Sequence, residues 1–100
     1  MLFRSQRFIN GAITGQRPNR VLEGFAFVAG DAAPVRVHVM IDGDKHTSQL
    51  ATGYAHRLSP LQTPRGGFVA FEVPMPKGVT LQTHHIEVLA GESRQPLPLI

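Results

Sequence analysis

Apolar and polar residues alternate in short segments along most of this chain, and Gly, Pro or Asp ends each segment. The clearest case is residues 34–42, where every second residue is apolar: Val35, Val37, Val39 and Ile41. Successive side chains of a strand point to opposite faces, so a period of two predicts a half-buried strand. Arg36, His38 and Met40 then occupy its outer face. Asp42-Gly43-Asp44 follows directly and predicts a tight hairpin turn, because Gly adopts the positive φ that such turns need.

The same alternation predicts strands on both sides of this hairpin. They cover residues 8–13, 21–29, 45–54, 69–75 and 79–88, and a short terminal strand contains Pro96 and Pro98. Residues 21–29 are apolar on both parities, which is typical of a central strand. Pro74 marks an edge or the end of its strand, because proline cannot donate a hydrogen bond to a neighbour.

A single long connection, residues 55–67, interrupts the series. It contains two prolines and no helical stripe of apolar residues, which predicts a loop with at most one short helical turn. About seven strands at roughly ten-residue spacing predict an all-β fold, a single immunoglobulin-like antiparallel β-sandwich. We expect one domain over residues 1–100, with a loosely ordered terminus at residues 1–6, and no helix longer than about two turns.

Composition limits the cellular setting and the chemistry. With 42% hydrophobic and 17% charged residues the chain has a globular balance. It has no cysteine, so disulfides and thiolate chemistry are excluded. No apolar run approaches the ~20 residues that cross a bilayer, which predicts no membrane span. The opening MLFRSQRF lacks the apolar core of a secretory signal, so we expect a cytoplasmic location.

The net charge of +3 is concentrated near the start of the sequence. Arg4, Arg7, Arg17 and Arg20 lie in a first fifth that contains no acid. A phosphate-rich partner is one interpretation, and a solvated surface is the other. Nucleic-acid modules usually add clustered lysines or stacking aromatic residues. Tyr54 is the only tyrosine, tryptophan is absent and the phenylalanines fall mostly in apolar segments, so we favour a solvated surface and predict no nucleic-acid partner.

The residues that could carry chemistry do not form a recognised motif. Adjacent residues of a strand face opposite ways, so His84 and His85 cannot both bind one metal ion. Asp42-Gly43-Asp44 lacks the later oxygen ligands of a calcium loop. Ser59 near His56 is the one nucleophile and base pair within a loop, and nothing in the sequence marks Ser59 as activated. We predict no catalytic residue, no metal and no cofactor.

The best candidate for a binding surface surrounds the long loop. Tyr54, His56, Arg57 and Arg65 combine an aromatic ring with hydrogen-bond donors. Loops on a rigid sandwich commonly carry function. The alternative is that Tyr54 only packs the loop while both arginines are solvated.

The order of these landmarks resembles a bacterial immunoglobulin-like accessory module that is appended to glycosyltransferases and other polysaccharide-related proteins. The matching segments are 24–26, 35–43, 50–57, 67–76, 84–88 and 97–98. Phe25 stands where the module has tryptophan, and the segment 56–59 lacks the module's aspartate. The resemblance implies a non-catalytic domain that contacts carbohydrate or a neighbouring domain.

Three functional hypotheses follow. The first is an accessory interaction domain, associated with polysaccharide or glycoconjugate biosynthesis, that binds a protein partner or a glycan through a sheet face or the long loop. The second is a glycan-processing enzyme or metal-dependent hydrolase whose residues converge only in the fold. The third is a structural subunit, a homo-oligomer that self-associates through its sheet edges.

Overall fold

The predicted alternation is realised as β-strands. The structure is a computed structural model that describes residues 9–17, 20–54 and 64–100, so the terminus expected at 1–6 lies outside the described residues. The strands are β1 (Asn10–Gln16), β2 (Val21–Phe27), β3 (Arg36–Ile41), β4 (Asp44–Leu50), β5 (Ala70–Pro74), β6 (Ile86–Ala90) and β7 (Gln95–Pro96). The only helical segment in these residues is a 3-10 helix, Pro64–Gly67. No helix of the described part is long and apolar enough to cross a membrane.

The seven described strands form two sheets. One has three strands in the order β1-β2-β5, and the other has four in the order β4-β3-β6-β7. Neighbouring strands in both sheets are antiparallel. This confirms the predicted all-β sandwich, and β2 is the central strand of its sheet as its sequence predicted.

Alternate residues of both sheets fill the space between them. The largest fully buried side chains are Phe71, Leu22, Val37, Val39, Val69, Val73 and Val88. No polar or charged side chain is buried among the described residues. Burial of apolar surface supplies the main stabilisation of such a fold, at roughly 25 cal/mol per Å² removed from water.

The β3–β4 hairpin follows the sequence prediction closely. Val35, Val37 and Val39 are buried, and the two-residue loop between the paired Ile41 and Asp44 consists of Asp42 and Gly43. Both loop residues have positive φ, 51° for Asp42 and 87° for Gly43. This conformation is the type I′ turn, whose twist matches that of the flanking strands.

Strands β4 and β1 differ from the sequence prediction at their ends. The expectation that β4 continues to Tyr54 is wrong, because the chain leaves β3 after Leu50 and crosses to the other sheet, where Gly53 forms a bridge with Ala70. β1 reaches Gln16 rather than ending at residue 13. Its predicted start at Phe8 lies outside the described residues.

The segment 79–85 is a turn and not the predicted first half of β6. Thr80 and Thr83 hydrogen-bond to nearby backbone: the Thr80 hydroxyl accepts from the N–H of Gln82, and the Thr83 hydroxyl donates to Gly78 O. Such local bonds compete with the hydrogen-bond ladder of a sheet. β6 therefore begins only at Ile86.

Candidate ligand-binding surface

Of the four residues that the sequence predicted to bind a ligand, the structure describes the side chain of one. Tyr54 is 41% exposed, and its ring centroid lies 5.2 Å from that of Phe68 at a tilt of 55°. His56 and Arg57 lie outside the described residues. Arg65 is described only as backbone, within the 3-10 helix. The convergence of these four residues therefore stays a prediction.

The chain directly before β5 brings an aromatic residue to the surface. Gly66 and Gly67, at the end of the 3-10 helix, have positive φ values of 63° and 94°. Glycine tolerates this backbone conformation, which here redirects the chain into β5. Phe68 follows at once and is 48% exposed, the most exposed phenylalanine among the described residues.

Strand β2 adds two further aromatic side chains to the outer surface of the three-stranded sheet. Its burial alternates: Leu22, Gly24 and Ala26 are buried, while Phe25 and Phe27 are only partly buried and lie outside the core cluster. The ring centroids of Phe25 and Phe27 are 6.2 Å apart with 28° between the ring planes. The two rings therefore stand side by side along the strand, as residues two apart on one face must.

Ala70 of β5 lies between the two aromatic pairs in the sheet, because Phe25 pairs with it from β2 and Gly53, the residue before Tyr54, pairs with it from the other side. Phe25 lies opposite Ala70 of β5, and the N–H of Ala26 donates to Val69 O at 2.9 Å. The pairing of β2 with β5 ends here, because the N–H of Val69 donates to Gly67 O at 2.9 Å, and Phe68 lies just beyond this end of β5. We call Phe25, Phe27, Tyr54 and Phe68 the aromatic strip.

An ionic cluster continues the same face. Glu23 of β2 pairs in register with Glu72 of β5, next to the pair formed by Phe25 and Ala70. Arg17 lies between the two carboxylates, with Nε 3.1 Å from Glu23 Oε2 and Nη2 3.3 Å from Glu72 Oε2. The Arg17 Nε–H has no well-aligned acceptor, so the first contact is an ion pair rather than a good hydrogen bond. The face thus presents flat apolar rings beside two carboxylates and one guanidinium group.

Sequence reasoning missed three members of the aromatic strip. It assigned most phenylalanines to the core, which is correct for Phe71 and wrong for the half-exposed Phe68. A signal was present in β2, where Phe25 and Phe27 share the parity of Glu23 and oppose Leu22. Both parities are apolar, so alternation alone could not say which faces the core.

The four histidines that the structure describes do not gather around a common point. His84 Nε2 lies 4.0 Å from Asp42 Oδ2, whereas His85 Nε2 lies 3.8 Å from Glu87 Oε1. The two rings have different neighbours, although both residues lie in the segment before β6 and not on a strand as predicted. Among the residues described, no three His, Asp or Glu side chains lie close enough to hold one metal ion.

Comparison with protein-family profiles, with curated proteins and with solved structures finds no match to this chain. The resemblance to the accessory module of glycosyltransferases therefore stays a prediction.

Proposed function

We propose that this chain is a non-catalytic, immunoglobulin-like accessory domain of polysaccharide or glycoconjugate biosynthesis that binds a glycan on its aromatic strip. The sheet orders β1-β2-β5 and β4-β3-β6-β7 support the immunoglobulin-like assignment, since they resemble the two-sheet arrangement of that class. Tyr54, predicted from sequence to contact a ligand, belongs to the strip. His56, Arg57 and Arg65 stay ligand contacts predicted from the sequence.

The observation that carries the proposal is the juxtaposition of the strip with the ionic cluster. A pyranose ring presents C–H bonds on its faces and hydroxyl groups around its rim. Aromatic rings bind the C–H bonds because the faces of these rings are electron-rich. Carboxylates bind the hydroxyl groups because they accept hydrogen bonds from them. Glu23 and Glu72 are both accessible for such bonds.

A glycan fits this surface better than a protein partner does. Standard protein interfaces bury about 800 Å² on each side around a desolvated apolar centre. Here the apolar part consists of two pairs of aromatic side chains, and the ion pairs of Arg17 with Glu23 and Glu72 lie on the same sheet. A chain of sugar rings presents the same mixture of apolar and polar surfaces.

Self-association through sheet edges receives less support. At the edge of β5, Gly53 pairs with Ala70, and side chains of β4 donate hydrogen bonds to the carbonyl oxygens of Glu72 and Pro74. On β1, the backbone of Ile13 bonds to the segment 98–100. An edge that already has partners is a poor template for another chain.

A glycan array of neutral polysaccharides, followed by calorimetric titration of the best oligosaccharide, tests the proposal. We expect the double variant Phe27→Ala/Phe68→Ala to bind roughly tenfold more weakly or worse, a loss of ~1.4 kcal/mol or more. Leu50→Ala is the matched control, because Leu50 is as exposed as Tyr54 but lies at the end of β4 in the other sheet. Circular dichroism checks that each variant is folded. The absence of any bound glycan, or equal binding by the double variant and wild type, would refute the proposal.

A further inference from the structure

A depression at one end of the sandwich lies apart from the aromatic strip. It has a volume of about 560 Å³ and forms where the β2–β3 connection meets the β6–β7 turn. Its polar lining comprises Asp31, Arg36, His38, Glu92 and Arg94. Neither the proposed function nor the predicted binding residues use these side chains.

Two elements direct the basic side chains into this depression. Arg36 and His38 are two residues apart on β3, so they share the outer face of the four-stranded sheet. Arg94 comes from the β6–β7 turn, where it has a positive φ of 55°. The N–H of Gly91 donates to Arg36 O at 2.8 Å, which fixes this turn against β3.

The described residues offer the two guanidinium groups no partner. Within residues 9–17, 20–54 and 64–100, neither Arg36 nor Arg94 makes a side-chain hydrogen bond or an ion pair. Both are exposed at the mouth of the depression. A planar guanidinium group offers a fork of N–H donors that matches phosphate or carboxylate oxygens.

His38 lines the same depression as these cations and has a hydrogen-bond partner on the neighbouring strand. Its Nδ1 is 3.0 Å from Ser48 Oγ. Burial lowers the pKa of His38 below its usual 6.5, and the charges of Arg94, Lys45 and Arg36 lower it further. The ring is therefore neutral at pH 7. If Ser48 donates to Nδ1, Nε2 carries the proton and is available as a third donor.

Two carboxylates, Asp31 and Glu92, also line the depression. Asp31 Oδ1 accepts a hydrogen bond from the N–H of Ala33, within its own loop. Glu92 is exposed on the turn. Glu87 lies beside Met40 on the adjacent strand. The charges that lower the pKa of His38 are those of Arg94, Lys45 and Arg36.

We propose that Arg36, His38 and Arg94 form a binding site for an oxyanion, a phosphate or carboxylate group carried by a small ligand. The two arginines supply charge and paired donors, and the neutral imidazole supplies a further hydrogen bond. Bound anion would offset the repulsion among the three cations around His38. This site is independent of the aromatic strip, which lies on the outer face of the other sheet.

NMR titration of amide shifts with inorganic phosphate, and separately with acetate, tests the site at constant ionic strength. We expect saturable shifts at residues 36–38 and 91–94, and a rise in the pKa of His38 when the anion is bound. Saturation by phosphate only, or by acetate only, identifies which oxyanion the site takes.

The variants Arg36→Gln and Arg94→Gln should each weaken binding about tenfold. Arg94→Lys should restore only part of it, because lysine has the charge without the fork. Lys77→Gln, on the exposed β5–β6 turn, is the control and should bind as wild type does. Non-saturating shifts with both anions, or unchanged affinity in the double arginine variant, would overturn the proposal.

Discussion

At the scale of single residues, the packing beneath the aromatic strip depends on a residue with no side chain. Gly24 of β2 lies opposite Phe71 of β5, and the Phe71 ring covers it on the inner face. A Cβ at position 24 would lie 2.3 Å from Phe71 Cζ and 2.4 Å from Ala12 O. The second atom belongs to the backbone of β1, so it cannot rotate away. Gly24 is therefore what allows three strands and one large ring to pack closely.

We predict that Gly24→Ala lowers the free energy of unfolding by about 1–3 kcal/mol, the usual range for inserting a methyl group into a packed core. Urea denaturation followed by circular dichroism measures it. Gly53→Ala is the control, since a Cβ there would meet its nearest atom, Ala70 O, at 3.2 Å and cause much less strain. Equal stability of Gly24→Ala and wild type would mean that Phe71 does not occupy this position.

At the scale of elements, side chains cover the edge of β5, which pairs with a neighbouring strand on one side only. β5 is the edge strand of the three-stranded sheet. His46 Nε2–H donates to Pro74 O at 3.0 Å, and the Gln49 amide donates to Glu72 O at 3.1 Å. Pro74 also has no N–H to offer a second chain. The edge of β5 is therefore closed by side chains from the opposite sheet.

We expect His46→Ala/Gln49→Ala to lose less than ~3 kcal/mol of unfolding free energy, since each net hydrogen bond contributes about 0.5–1.5 kcal/mol and both are exposed. The larger effect should be concentration-dependent self-association through the uncovered edge. Light scattering over a concentration series measures it. Thr52→Ala, on an exposed position beyond β4, is the control. A double variant that stays monomeric at every concentration would contradict this account.

The individual strands also show which parts of the fold could be predicted from the sequence. β3 and its turn were predictable because one face is uniformly apolar and Asp42-Gly43 allows a single turn type. The end of β4 was not, because it depends on where the chain crosses to β5. The start of β6 was predicted too early, because the alternating apolar pattern extends over Thr80 and Thr83, whose hydroxyl groups stabilise a turn. The aromatic strip was missed because β2 is apolar on both faces.

At the scale of the whole molecule, the two sheets are joined at their other margin by the last residues of the chain. The Gln95 side chain accepts from the N–H of Ile9 at 3.1 Å and donates to Ile9 O at 2.8 Å. Further along, the N–H of Ile13 donates to Pro98 O at 2.7 Å, and the N–H of Ile100 donates to Ile13 O at 3.0 Å. The chain thus passes from β7 to the edge of β1 and closes the sandwich.

This closure leads to a prediction about residues 98–100. Leu99 and Ile100 are largely exposed, so their side chains contribute little burial, and the segment acts through its backbone bonds to Ile13. Removing residues 98–100 should lower the free energy of unfolding by about 1–3 kcal/mol, the worth of two net hydrogen bonds. It should also leave the edge of β1 open to other chains.

Leu99→Ala/Ile100→Ala separates backbone from side-chain effects, because it trims both side chains and keeps the bonds to Ile13. We expect this variant to unfold near the wild-type urea midpoint and to remain monomeric by light scattering. The truncated chain should unfold at a lower urea concentration and should self-associate. If the double variant loses as much stability as the truncation, the apolar side chains close the sandwich and the backbone bonds do not. If the backbone bonds to Ile13 are what close the sandwich, hydrogen bonds cover the edge of β1 as they cover the edge of β5. The outer faces of the two sheets then remain as the surfaces for ligands.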